Sequence, residues 1–330
     1  MKTFIINGID MIGRLVALTT QEKSSCYSTC KDYLSIIESR NLDDSTVSTV
    51  STVEDQQKDH AINESWREKI CEWLYDVVDH FGYSREIVYT TLNLFDRYLF
   101  IYSHNSKPVT PKIVQLIAVS ALNLTLKVQD SKLDHLPMLL ELSQNFFSAK
   151  HVTATERSIL DNLSWKISPP TPFAFLQHFL ELMPKDDNVT GLLLTRLESS
   201  AQFLVELSVC DYYFVGLKPS SIALASLLSS IDSILPSEVF AMRTKTLLLH
   251  DISNIAGISY SEEIRQCQLY LEDVFLSCSE YNSPVTDNDE QSHNRGGNSS
   301  PVSIVPPEHP PSSRLVTTSY VRAFPNQGGY

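Results

Sequence analysis

Residues 110–127 read TPKIVQLIAVSALNLTLK. The Thr110 hydroxyl suits a helix cap, and Pro111, whose missing N–H costs nothing in a first turn, suits the first helical position. From Ile113 onward Val114, Leu116, Ile117, Val119, Leu122, Leu124 and Leu126 leave almost no polar face. A helix apolar all round belongs at the centre of a bundle. The apolar stretch Ile113–Leu126 is too short for a bilayer of ~30 Å and contains Gln115 and Asn123, so a protein core is expected around it. A similar run, SSIALASLLSSI, follows Pro219, 108 residues after Pro111. Two like units, each built round its third helix, are therefore expected.

Outward from this helix the periodicity stays helical. Ser65 to Glu68 form an S-x-x-E capping box, and Trp66, Ile70, Trp73, Leu74, Val77, Val78 and Phe81 follow on one face up to Gly82. Ser84 opens a second helix with Ile87, Val88, Leu92, Phe95 and Leu99 inward. After the central helix come a short apolar segment, Leu136 to Leu142, and a fifth helix over Val152 to Leu163, halted by Pro169 and Pro170. Thr171 and Pro172 repeat the cap-plus-proline start. Helices follow at about 172–183, 190–208, 219–234, 237–255 and 260–278, the last behind a second S-x-x-E box at Ser259–Glu262. No strand-period alternation occurs. The expected fold is all-α: two consecutive five-helix units, 61–170 and 171–280.

The flanks read differently. Residues 41–60 repeat a Ser-Thr-Val unit between acids, so residues 1–60 are expected to be a largely disordered extension and linker. Residues 281–330 hold seven of the 16 prolines and four of the 10 glycines and read as a disordered tail. The chain has 39 acidic against 26 basic residues, a net charge of −13, and residues 61–280 carry 26 against 17. Such a surface repels phosphate backbones, which disfavours direct nucleic-acid binding. Asp10 and Arg14 interrupt the early apolar run, so a soluble chain without a signal peptide or membrane partner is expected. The six cysteines then read as reduced thiols. Cys26 and Cys30 have metal-ligand spacing, but no second pair completes a tetrahedral site. Cys71, Cys210, Cys267 and Cys278 fall on helical patterns as small buried thiols.

Several stretches, in order, carry a family resemblance. WREKICEWLYDVV at 66–78 resembles the first helix of the cyclin box, LNLFDRYL at 92–99 its second, and LTLK at 124–127 the end of its third. TERSILDNLSWKISPPTP at 155–172 looks like the fifth helix and the turn into the second half. AQFLVELSVCDYYFVGLKPSSIALASL is similar to the C-terminal cyclin fold. The resemblance covers about 61–278, and the WREKICEW and SPPTPFAFLQHFL versions look most like the expanded cyclin group of diatoms.

That resemblance implies a non-catalytic regulatory subunit that binds and activates a cyclin-dependent Ser/Thr protein kinase in cell-cycle progression, without cofactor, in nucleus and/or cytoplasm. Lys127 and Glu156 occupy the family's kinase-contacting positions, and Arg67 and Asp96 those of a buried structural pair. Trp66, Ile70, Trp73 and Asp76 fall where many cyclins carry a shallow substrate-docking groove. Lys69 departs from that pattern, standing in place of an aliphatic, and Gln129 and Asp130 stand where the family has Glu. The alternative is a scaffold like the general transcription factors of the B type, which clamp DNA; the acidic body and incomplete Cys pair argue against it. Enzymatic motifs for phosphate cradles, zinc proteases and hydrolase elbows are absent, and the His178–Glu181 spacing is that of a solvated helix face. In the tail, Ser283-Pro284 and Ser300-Pro301 are sites for a proline-directed kinase, with degradation machinery as the expected reader. The only R-x-x-L, Arg157–Leu160, lies in the fifth helix, inaccessible as a degradation signal.

Overall fold

A computed structural model describes residues 2–28, 32–45, 62–104, 109–129, 134–144, 146–184, 191–235 and 237–281. Ser283, Ser300, Cys30, Asp130 and most of the 41–60 linker lie outside the described residues. Among those described, all regular structure is helical, in twelve α-helices. The first unit holds α3 (Glu64–Phe81), α4 (Glu86–His104), α5 (Pro111–Gln129), α6 (Leu136–Leu142) and α7 (Ala149–Asn162). The second holds α8 (Pro172–Glu181), α9 (Gly191–Cys210), α10 (Pro219–Ile234), α11 (Glu238–Ala256) and α12 (Glu262–Tyr281). Ahead of both stand α1 (Lys2–Glu22) and α2 (Tyr33–Ser45).

Each unit is wound round its third helix. α5 is buried almost continuously from Val114 to Leu126 and packs on α3, α4, α6 and α7. Its polar residues are accommodated locally: the Ser120 and Thr125 hydroxyls donate to the carbonyls of Leu116 and Ala121, at 2.7 and 3.0 Å. At 19 residues α5 is longer than its apolar stretch suggested, and by length and composition it could cross a membrane. Its burial inside the first unit explains that composition instead. α10 is buried from Ser220 to Ile231, and its serines and alanines let α8, α9 and α12 approach closely.

Two helix starts differ from the expected capping boxes. Asn63, not Ser65, caps α3: its side chain accepts from the Trp66 amide, and Ser65 stands inside the first turn. Likewise the Ser261 hydroxyl, not that of Ser259, accepts from the Ile264 amide at the start of α12. Asn and Ser are comparable caps, so local chemistry alone does not choose between adjacent candidates. The Thr110 and Thr171 caps form as expected, accepting from Ile113 and Ala174. Gly82 ends α3 in the left-handed conformation, φ 69°, which a residue with a Cβ would adopt only at a cost. α7 begins three residues before Val152, where Ser148 and His151 cap each other.

The expectation of a largely unstructured residue 1–60 segment is corrected over the described residues 2–28 and 32–45. Tyr33, Leu34 and Ile37 of α2 are buried in the core of the first unit, and Leu15 of α1 in that of the second. The Glu22 carboxylate accepts from the amide and hydroxyl of Ser220, both at 2.7 Å, and so caps the N-terminus of α10 from outside that unit. The reason is tertiary: isolated helices of this length are marginal, and only the apolar grooves supplied by α4, α8 and α11 hold them.

The two units share a junction. The Tyr75 hydroxyl donates to the Glu206 carbonyl at 3.3 Å, and Arg85 bonds both Asp79 beside it and Glu206 of α9. Glu86 accepts from Thr171, and Gln21 donates to the Ser168 carbonyl at 2.6 Å.

Candidate functional site

Lys127 lies in the last turn of α5 and Glu156 in the middle of α7, and the fold brings them together. The Lys127 ammonium donates to Glu156 Oε1 and Oε2 at 2.9 and 2.8 Å. Asn123, one turn earlier, donates to Glu156 Oε1 at 2.7 Å. The carboxylate is therefore held by three charge-assisted bonds while its side chain is only 7% exposed, whereas the lysine side chain is 40% exposed. A buried acid anchors a half-exposed cation at the helix end, where the α5 dipole also favours positive charge.

The surroundings of this pair follow from the direction of the two helices. Lys112 at the start of α5 sits over the Phe146 ring just ahead of α7, and Asn123 and Lys127 meet Glu156 further on. The helices thus run parallel, and both end on the same side of the unit. At that end Val128 is 52% exposed and Trp165, past the last turn of α7, 67% exposed. Ser164 and Trp165 both take positive φ, 50° and 61°. The Trp165 amide donates to the Leu160 carbonyl at 2.9 Å, closing the helix with two non-glycine residues in the left-handed region. A large aromatic ring is thus held outward on backbone that is costly for a residue with a Cβ. Trp165 escapes sequence reasoning, because nothing in SWK signals left-handed backbone; only its failure to fit the apolar stripe of α7 does.

Arg67 and Asp96 form the expected pair in the interior. Arg67 Nε lies 3.1 and 3.3 Å from the two Asp96 oxygens and Nη2 3.1 Å from Oδ2. Two features were not legible in the sequence. The Tyr33 hydroxyl donates to Asp96 Oδ1 at 2.6 Å, and Arg67 Nη1 donates to the Val209 carbonyl at 3.1 Å. The pair thus fixes α3 against α4, and ties α2 and the second unit to both. Burial and the neighbouring Asp96 charge push the Tyr33 hydroxyl well above its ordinary range, so it stays protonated as a donor.

The groove positions do not form a surface groove. Trp66, Ile70 and Trp73 are at most 4% exposed and belong to the first core, while Asp76 and Lys69 are on the solvent side. The physical reason is the depth to which α3 is buried between α4, α5 and α9. Arg157, first residue of the R-x-x-L, is exposed, but Leu160 is half-buried and the run is helical. Among the described residues no group of three or more metal-ligating side chains occurs. A cavity of about 100 Å³ lies where α1, both units and the Arg67–Asp96 pair meet, with Glu22 and Lys218 at its wall.

Comparison with known proteins fits this architecture. The model of the cyclin N-terminal domain matches residues 34–168 and that of the cyclin C-terminal domain residues 170–301. The chain belongs to the cyclin family. The first match begins inside α2, upstream of the boundary expected at residue 61, consistent with the burial of Tyr33 and Leu34 in the cyclin-box core. Cyclin-B1-1 of Arabidopsis thaliana is 29% identical over 174 residues, 52% of this cyclin and 38% of that protein. The G2/mitotic-specific cyclin S13-7 of Glycine max is 30% identical over 51% of this chain and 61% of its own length. The G2/mitotic-specific cyclin-1 of Antirrhinum majus is 32% identical over 50% of this chain and 32% of its own. This cyclin therefore spans roughly a third to three-fifths of the length of these relatives. Among solved structures, a viral cyclin from herpesvirus saimiri aligns over 67% of this chain and 89% of its own, at 21% identity and TM-score 0.49.

Proposed function

We propose that this cyclin binds and activates a cyclin-dependent Ser/Thr protein kinase in the control of cell division, using the common end of α5 and α7 as its contact surface. The Lys127–Glu156 pair carries the reading. Lys127 is held in place by a buried carboxylate yet remains open on its solvent side, so its ammonium is pre-organised for backbone carbonyls of a partner. Val128 and Trp165 add apolar area at the same end, suited to a hot-spot contact around a charged anchor.

The mechanism requires no catalytic group from this chain. A protein kinase is competent only when the Glu of its αC helix pairs with the Lys of its strand β3. A rigid surface that binds the inward position of αC more tightly than the outward one shifts the population toward the competent state. Rigidity is supplied here by α5, packed on four neighbours, and by the Arg67–Asp96 pair that locks the helix crossing.

The test is co-purification with a cyclin-dependent kinase followed by phosphorylation of histone. Wild type is expected to bind and to raise activity well above kinase alone, and Lys127→Ala and Trp165→Ala to weaken both while keeping the helical circular dichroism of the wild type. Full activation by both variants would refute the assignment of this surface.

A further inference from the structure

Cys71 and Cys210 lie 139 residues apart in sequence, on α3 of the first unit and at the end of α9 of the second, with their sulfurs 3.4 Å apart. Neither is bonded to another cysteine. We infer that Cys71 and Cys210 form a peroxide-responsive dithiol that closes to a disulfide across the two cyclin units. The site is separate from the Lys127–Glu156 surface.

The two sulfurs are differently placed for such chemistry. Cys71 is 0% exposed, while Cys210 is partly open to solvent. The bond between them runs from the Cys71 S–H to Cys210 Sγ, and the Arg67 guanidinium reaches the Cys210 carbonyl at 3.4 Å. That hydrogen bond and the Arg67 charge hold the Cys210 thiol below its ordinary range, against burial, Glu72 and Glu206. Burial pushes the Cys71 thiol well up. The Cys210 S–H also donates to the Glu206 carbonyl at 3.7 Å, so the partly exposed Cys210 is the sulfur that meets the oxidant once it gives up that proton, and the buried Cys71 is the resolving thiol.

The reaction balances with a hydroperoxide as oxidant. The Cys210 thiolate attacks a peroxide oxygen, forming an S–O bond while the O–O bond breaks. With hydrogen peroxide the hydroxide released leaves as water, taking up the proton the thiol gave up. Cys71 Sγ then attacks the Cys210 sulfur, losing its proton; the S–S bond forms, the S–O bond breaks and a second water departs. Two thiols are oxidised and one peroxide is reduced to two waters. The sulfurs need to close by about 1.4 Å to reach the disulfide length, a small motion between two packed helices. The product encloses α4 to α9, and with them the proposed kinase-binding surface, in one covalent loop. The covalent link then adds to the hydrogen bonds of Arg67, Tyr75, Arg85 and Glu86 that already join the two units.

The full chain is treated with equimolar hydrogen peroxide and compared with its reduced form. The expected results are a loss of about 2 Da by intact mass, one cross-linked peptide pair joining Cys71 to Cys210, reversal by dithiothreitol and a higher melting temperature of the oxidised form. In Cys71→Ser a dimedone adduct is expected to accumulate at Cys210, whereas Cys210→Ser leaves Cys71 unlabelled. Should Cys71→Ser not fold, wild-type cross-linking and the solvent-side variant Cys210→Ser still decide. A cross-link that avoids either residue, labelling of Cys71 ahead of Cys210, or intact thiols at both positions after the treatment would overturn the proposal.

Discussion

Replacing Lys127 by Met removes one ammonium and keeps most of the apolar stem, so it isolates the charge at the proposed contact surface. In the free chain it deletes two of the three bonds to Glu156 and leaves a 7% exposed carboxylate with Asn123 alone. An exposed ion pair contributes ~0–1 kcal/mol and the loss of one partner of a buried pair costs ~3–5 kcal/mol. The carboxylate is buried but the ammonium is 40% exposed, which places the folding cost between these limits, at about 2 kcal/mol. Adding Glu156→Gln removes the stranded charge, so the double variant should be less destabilised than the sum of the singles, with a coupling of roughly 1 kcal/mol. Urea unfolding followed by circular dichroism gives the four stabilities, and calorimetric titration with the kinase gives the four affinities. Binding should weaken by ~2–5 kcal/mol in Lys127→Met and hardly further in the double variant, because one unit is removed in both. Independent, additive effects on folding would show that the pair is not formed in the free chain. Unchanged affinity would remove it from the kinase interface.

Four further outcomes are expected. Asp96→Asn strands the Arg67 guanidinium at 5% exposure and should cost ~3–5 kcal/mol in urea unfolding; a loss under 1 kcal/mol would refute the structural role of the pair. Starting the chain at Ile62 strips Leu15, Tyr33, Leu34 and Ile37 from the two cores and the Glu22 cap from α10, and should lower stability by on the order of 3 kcal/mol after the lost ordering cost is allowed for; equal melting temperatures would argue against a packed N-terminal segment. Burial pushes the Cys267 thiol up to about 12 from 9.0. Between those values the unfolded chain has released a proton that the folded chain retains, so stability falls as pH rises, by ~1.4 kcal/mol per pH unit for this group. Cys267→Ala should flatten the alkaline decline by that increment in urea titrations with reductant at pH 8, 9 and 10. Finally, Ser283→Ala with Ser300→Ala is expected to lengthen the protein's half-life in cells, as is truncation after residue 280, and equal decay of all three chains would remove the tail from turnover.

What the sequence determined by itself was whatever rests on neighbours along the chain. The apolar period of α3 to α12, the Thr110-Pro111 and Thr171-Pro172 starts and the Gly82 stop are local, and all appear as helices and caps in the fold. Arg67 with Asp96 was legible as a bonded pair because motifs in order placed both residues, and that bond is present; the same motifs singled out Lys127 and Glu156, but the ion pair between them came only with the fold. The tertiary structure decided what depends on burial. α2, with Tyr33 at its start, carries no strong helical signal, yet it is fixed by the ring's place against Asp96 and Tyr212. Trp66, Ile70 and Trp73 fall at groove positions yet read more simply as core, and the depth of α3 places them there. The Cys71–Cys210 contact joins residues 139 apart, and the left-handed Ser164–Trp165 turn has no glycine to announce it. Periodicity reports which face of a helix is apolar, but which surface covers that face is set only when the two units and the N-terminal helices close on one another.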